Sequence, residues 1–250
     1  MPNIKVSVVN QSSVLTDSQI QNVVPALQTQ VTRDFAPIWG IDAELSFVPK
    51  GQTPPADHWW LVVLDNTNQA GALGYHELTP AGLPIGKVFA ESDIQYNLSW
   101  SVTMSHELLE MLADPDINLT SFIQTSANQG YLYAFEMCDA VEDDQFAYDI
   151  NGVKVSDFVL PCYFQPSIPP TNGKYDFGGY LHQPVPTMLS GGYLSQFAIN
   201  EPGHTNGWTQ INAQAAPNST CRALRVNPHS RRARRVLDKS QWKVSTVTSF

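Results

Sequence analysis

The sequence predicts an α+β fold in which a mixed, twisted sheet packs against helices. Three observations carry that expectation. Apolar and polar residues alternate from Ile4 to Val8, residues 59 to 65 form an unbroken apolar run closed by an aspartate, and a long apolar segment stops at Ala113 before Asp114-Pro115.

The elements follow in chain order. Ile4, Val6 and Val8 alternate with Lys5 and Ser7 at the period of a half-buried strand, and Asp17 offers an N-cap for what comes next. Ile20, Val24, Leu27 and Val31 recur on one helical face, with Pro25 set to kink that helix or mark its start, and Ala36-Pro37 with Gly40 end it. Residues 43 to 48 and 59 to 65 read as strands on either side of a Gly-Pro turn, the second one central and covered on both faces. Residues 71 to 77 and 85 to 90 form a hairpin or edge strand looping at Pro80 and Gly82, and a helix then runs from about Asp93 to Ala113. Beyond residue 125 short strand-like runs alternate with Gly, Pro and aromatics. Residues 126 to 225 therefore read as an irregular half covering residues 1 to 125, with residues 226 to 250 as a basic tail on a single 250-residue domain.

Composition narrows the function. Net charge is −9 and charged residues make up 15 %, a balance that excludes a general nucleic-acid binder, which needs a positive contact surface. The local exception is Arg231, Arg232, Arg234 and Arg235, read as a solvated terminal run in preference to a contact for an anionic partner. No apolar stretch has the length of a membrane span or the form of a signal peptide, so the expectation is a soluble protein, cytoplasmic or exported without a classical leader. Cys138, Cys162 and Cys221 are too scattered for a disulfide framework or a zinc knuckle, leaving room for one disulfide and one free thiol.

One constellation carries chemistry. In Ser105-His106-Glu107-Leu108-Leu109-Glu110, residues four apart share a helix face, so His106 and Glu110 reach one ion while Glu107 approaches a water on it. Zinc accepts imidazole and carboxylate alike, and a catalytic ion keeps one position open. The competing reading makes these three the wet side of an amphipathic helix with Leu108, Leu109, Met111 and Leu112 in the core. A second acidic cluster, Glu136-Met137-Cys138-Asp139, follows about thirty residues later.

The string from Ser105 to Pro115, with Glu136-x-x-Asp139 after it, resembles bacterial and phage-associated zincin-like proteins with an H-E-x-x-E…D-P signature and a later E-x-x-D. The order of elements in the first half is also similar to the zincin fold, with an edge strand packed on an active-site helix. The resemblance implies His106 and Glu110 as ligands, Glu107 as general base, and a carboxylate from Glu136 or, in preference, Asp139 completing the shell. It leaves Asp114 as either an outer carboxylate orienting His106 or a helix-ending turn. The chain departs from familiar zincins in lacking the second His, the metzincin Gly-x-x-His and a Met-turn. A shell of one His and two carboxylates is harder, so Zn²⁺ is the first expectation and another divalent ion the second.

Two functions follow from this. The first is a zinc-dependent peptidase acting on a peptide or protein substrate, with Glu107 relaying the proton from water to the leaving amine. The second is an inactive zincin-like structural or binding protein, such as a component or cargo of a phage-like particle. Oxyanion donors are sought among His76, Tyr133, Tyr148, Tyr175, His182 and Tyr193. Glu142, Asp143 and Asp144 lack EF-hand spacing and read as a solvated acidic turn.

Overall fold

Strand periodicity and apolar runs assemble the first half into one sheet. The computed structural model describes residues 4–66, 73–200, 202–203 and 207–213. Strand β1 (Ile4–Asn10) is followed by helix α1 (Asp17–Thr29), which passes through a π-helical stretch at Gln30–Phe35 into α2 (Ala36–Trp39). Then come β2 (Ala43–Val48), β3 (Trp59–Leu64), β4 (Gly74–Leu78) and β5 (Pro84–Phe89). The sheet order is β2-β1-β3-β5-β4, with β2, β1, β3 and β5 parallel and β4 antiparallel to β5 at the edge. The apolar run of β3 is central, as its composition predicts.

Thr16, not Asp17, caps α1. Its hydroxyl accepts from the Gln19 amide while the Gln19 side chain accepts from the Thr16 amide, a reciprocal box that leaves Asp17 free to hold Asn10 and Lys50. Pro25 lies inside the helix without ending it, and the buried face uses Ile20, Val23 and Leu27. Gly40, in the left-handed region at φ 73°, terminates α2.

The expected single helix from Asp93 is two. Helix α3 (Ala90–Gln95) stops where Asn97 takes φ 56°, and α4 (Trp100–Ala113) starts afresh from Ser99. Asn tolerates that backbone through local hydrogen bonding, and nothing in apolar periodicity signals it. Helix α4 packs on the same sheet face as α1. Val6, Val8, Leu61, Val63 and Val88 of the sheet share one core with Ile20, Leu27 and Phe35 of the first helical arm and with Met104, Leu108 and Met111 of α4.

The second half is more regular than its composition suggests. Strands β6 (Thr120–Ser126), β7 (Gln129–Ala134), β10 (Tyr193–Ile199) and β11 (Trp208–Asn212) form an antiparallel sheet ordered β11-β10-β7-β6. Between β7 and β10 lie a short hairpin, β8 (Tyr148–Ile150) with β9 (Val153–Val155), and the one-turn helix α5 (Pro161–Phe164). Met137, Phe158, Tyr163 and Phe164 from this half join the same core, so α4 is enclosed between the two halves. Polar clamps fix that closure: the Gln30 amide donates to Ser156 O at 2.9 Å, the Tyr148 hydroxyl to Asp34 Oδ2 at 3.0 Å, and the Ser156 amide to Ser105 Oγ at 2.5 Å. No helix among the described residues is long and apolar enough to cross a membrane. Cys138 and Cys162 are both buried free thiols, with no disulfide among the described residues; Cys221 and the Arg231 to Arg235 run lie outside them.

Asp65, just after β3, gathers the loop following β1. It accepts from the Ser12 hydroxyl, the Ser13 amide and hydroxyl, and the Val14 amide. Burial pushes its carboxyl up, but these hydrogen bonds together pull it down to about 2. A depressed carboxyl stabilises the fold above the unfolded value near 4 and loses that contribution as pH falls through about 2. Asp65→Asn is therefore expected to lower the melting temperature by a few degrees at neutral pH and to flatten the acid limb of stability between roughly pH 4 and 2. Parallel thermal melts check it, and superimposable acid limbs would remove Asp65 from the account.

Candidate metal centre

Helix α4 delivers the first three functional side chains, and its surroundings fix their direction. The Ser99 amide at its start donates to Asp144 Oδ2 at 2.7 Å, placing a carboxylate where the helix dipole favours one. The Thr103 hydroxyl donates to Asp93 Oδ1 at 2.9 Å, tying α4 to α3. Every residue from Ser101 to Ala113 is buried. His106, Glu107 and Glu110 are 4 %, 5 % and 2 % exposed, which rules out the wet-face reading of the helix. His106 Nε2 lies 3.3 Å from Glu110 Oε2, the one-turn spacing read from the sequence.

The segment after β7 brings the second set. The Cys138 amide donates to Glu110 Oε1 at 3.1 Å, and Asp139, opening a 3₁₀ turn at Asp139–Val141, sets Oδ1 3.3 Å from His106 Nε2. This turn is held from behind: Leu189 N–H donates to Ala140 O at 2.9 Å. Gly192 is required there, since a Cβ would sit 2.4 Å from Ala140 O and 3.0 Å from Asp139 O. Glu136 is buried beside the turn. Glu142 and Asp143, expected in a solvated turn, are each 6 % exposed: the acidic stretch folds inward against α4.

Edge strand β4 supplies a third element. His76 is fully buried, its Nε2 3.3 Å from the Asp114 carbonyl oxygen. A carbonyl only accepts, so Nε2 carries the proton, and Nδ1 faces Glu107 Oε2 at 3.6 Å and Glu110 Oε2 at 3.9 Å. The antiparallel register of β4 on β5, with His76 opposite Gly86, aims this imidazole at α4. Gly74, two residues earlier on the same face, lets the strand lie against the helix: a Cβ there would meet Glu107 Oε1 at 2.6 Å, Glu107 Cγ at 2.7 Å and Thr103 Cγ2 at 2.9 Å.

Ligand atoms of His106, Asp139 and Glu142 fall within 4.8 Å of one another, and so do those of His76, Glu110 and Glu136. All six are oxygen or imidazole donors, a set suited to zinc, manganese or another divalent ion rather than to a soft cation. Burial lowers the His106 pKa, but Glu110, the Asp139 hydrogen bond and Glu107 override it and hold the imidazole well above its usual value. A cation entering this site displaces that proton. His106 Nδ1 has no hydrogen-bond partner among the described residues, so packing rather than an outer acceptor orients the ring. Asp114 does not provide one: its carboxylate accepts from the Asn118 and Leu119 amides as a turn, and its carbonyl serves His76 instead.

All five residues singled out as ligands or base, His106, Glu107, Glu110, Glu136 and Asp139, thus meet in one buried cluster. Of the six candidate oxyanion donors, His76 reaches into it; the Tyr148 hydroxyl is held by Asp34 and Gln30, and His182 is exposed. The sequence reading did not include His76 or Glu142 among the groups that could hold an ion. Compared with protein-family models, with curated proteins and with solved structures, the chain matches none.

Gly74→Ala forces the strand and Glu107 apart, an overpacking that costs about 1–3 kcal/mol. Urea unfolding is expected to register that loss. An unchanged midpoint would show that Glu107 is not pinned against β4.

Proposed function

We propose that this chain is a metal-dependent peptidase on a zincin-like plan, its ion held by His106, Glu110 and Asp139 and its proton moved by Glu107. The observation that carries the reading is the convergence of these side chains: Glu110 Oε2 and Asp139 Oδ1 each lie 3.3 Å from His106 Nε2, with Glu107 adjoining on the same buried helix. Zn²⁺ is the expected ion. Bound there, a divalent cation supplies Lewis acidity, polarising a carbonyl and bringing the pKa of water towards about 7.

The chain's own residues supply the rest. Glu107 is confined between β4 and α4 by Gly74, which fixes its carboxylate beside the ligands, as a general base requires. His76 lies beside that carboxylate, its Nδ1 3.6 Å from Glu107 Oε2, with the ring proton on Nε2 donated to the Asp114 carbonyl. The outer edge of β4 offers main-chain groups along which an extended peptide can lie, and His76 on that strand couples the edge to the site.

A second reading has its own support. The side chains of His106, Glu107, Glu110 and Asp139 are at most 7 % exposed, an enclosure typical of an ion held for stability in a structural or binding protein, such as a component or cargo of a phage-like particle.

Glu107→Gln separates the two. With zinc-loaded protein and a mixed fluorogenic peptide library, hydrolysis is expected to fall by about 10²–10⁴-fold while metal content and melting temperature hold. Undiminished hydrolysis would overturn the role of Glu107. A zinc-loaded wild type that cleaves nothing would favour the structural ion.

A further inference from the structure

We infer that the centre holds two divalent cations, the second bound by His76, Glu110 and Glu136, with Glu110 bridging the pair. The inference rests on the metal-centre reading above and extends it to a second ion.

The geometry divides one cluster into two adjoining sets. His106, Asp139 and Glu142 gather on one side; His76, Glu110 and Glu136 gather on the other, each set with its ligand atoms mutually within 4.8 Å. Glu110 joins them: its Oε1 is fixed by the Cys138 amide at 3.1 Å, which turns Oε2 between the imidazoles, 3.3 Å from His106 Nε2 and 3.9 Å from His76 Nδ1. His76 is oriented as metal-binding imidazoles are, one nitrogen on a main-chain carbonyl and the other directed at carboxylate oxygens. Such paired ions sit about 3.5–4 Å apart in two-metal hydrolases, close enough to share one carboxylate.

Charge supplies an independent reason. Glu107, Glu110, Glu136, Asp139 and Glu142 are all more than nine-tenths buried, and no lysine or arginine among the described residues is buried. Asp139 Oδ1 is enclosed and faces the His106 imidazole, 3.3 Å from its Nε2. One divalent cation with neutral imidazoles leaves the five carboxylates three charges in excess. Two cations balance the four ligand carboxylates Glu110, Glu136, Asp139 and Glu142, leaving Glu107, of these five, as the uncompensated one, the one assigned as base.

The test is metal stoichiometry. Chelator-stripped full-length protein is loaded with Zn²⁺ and, separately, Mn²⁺, then desalted for elemental analysis and native mass spectrometry. Wild type is expected to keep two equivalents and Glu136→Gln one, with His76→Gln as the second variant and circular dichroism verifying the fold of each. Mn²⁺-loaded wild type is expected to give an exchange-coupled paramagnetic resonance spectrum, and Glu136→Gln an isolated six-line signal. One equivalent in wild type, unchanged by Glu136→Gln, overturns the second ion and leaves the first standing; two equivalents that survive both substitutions, or two uncoupled manganese ions, also overturn it. No bound metal overturns both readings.

Discussion

Buried negative charge is the constraint around which this protein is organised. Carboxylates from α4, from the turn after β7 and from Glu142 crowd around two imidazoles in the interior. Isolating one carboxylate from water costs several kcal/mol even after relaxation, whereas burying a leucine or methionine contributes about 1.5–3 kcal/mol. The apolar residues of α4, Leu108, Leu109, Met111 and Leu112 among them, can offset one or two such penalties but not five. The cluster therefore calls for cationic compensation, which a protonated His106 supplies in part and the proposed metal would complete.

The surrounding structure serves to keep those groups from drifting apart. Helix α4 is clamped at its start by Asp144 and Asp93 and at mid-length by the Ser156 amide on Ser105. The 139–141 turn is held by Leu189 and by the closeness that Gly192 permits, and β4 reaches α4 because Gly74 presents no side chain towards it. Without the second antiparallel sheet, the carboxylates of residues 136 to 143 would face water and the helix would have the wet side first considered for it. The two halves of the chain are thus coupled through the site: residues 4 to 113 bring the imidazoles and the base, and residues 134 to 143 bring the remaining anions.

What could be read from sequence follows the range of the interactions. The 3.6-residue period put His106 and Glu110 on one face without any tertiary information, and the apolar run of β3 announced a central strand. Asp139 and Glu136 were found through a resemblance in spacing, not through geometry. His76 was visible only as one of several scattered candidates, because its place depends on the antiparallel register of β4 against β5, a pairing that a short Gly-rich strand specifies weakly. Glu142 was lost for a different reason. Three consecutive acidic residues look solvated, and only a counter-charge elsewhere in the chain makes their burial sensible. The break at Asn97 and the antiparallel sheet of the second half were missed because a single left-handed residue and short, Gly-rich strands leave little periodic signal.

Glutamate rather than histidine at position 110 has a physical consequence. An imidazole nitrogen offers one lone pair, so a histidine at position 110 would serve one ion. A carboxylate offers two oxygens and about four lone-pair directions. Glu110 spends Oε1 on the Cys138 amide, which locks the carboxylate plane, and keeps Oε2 for both imidazole-bearing sides of the cluster. A glutamate at position 110 suits the proposed ligand shared between two ions. It also explains why His76 belongs to β4 rather than α4: with the helix position given to a bridging oxygen, the second nitrogen donor must come from across the site, and the edge strand lying against α4 at Gly74 is the element that brings one there.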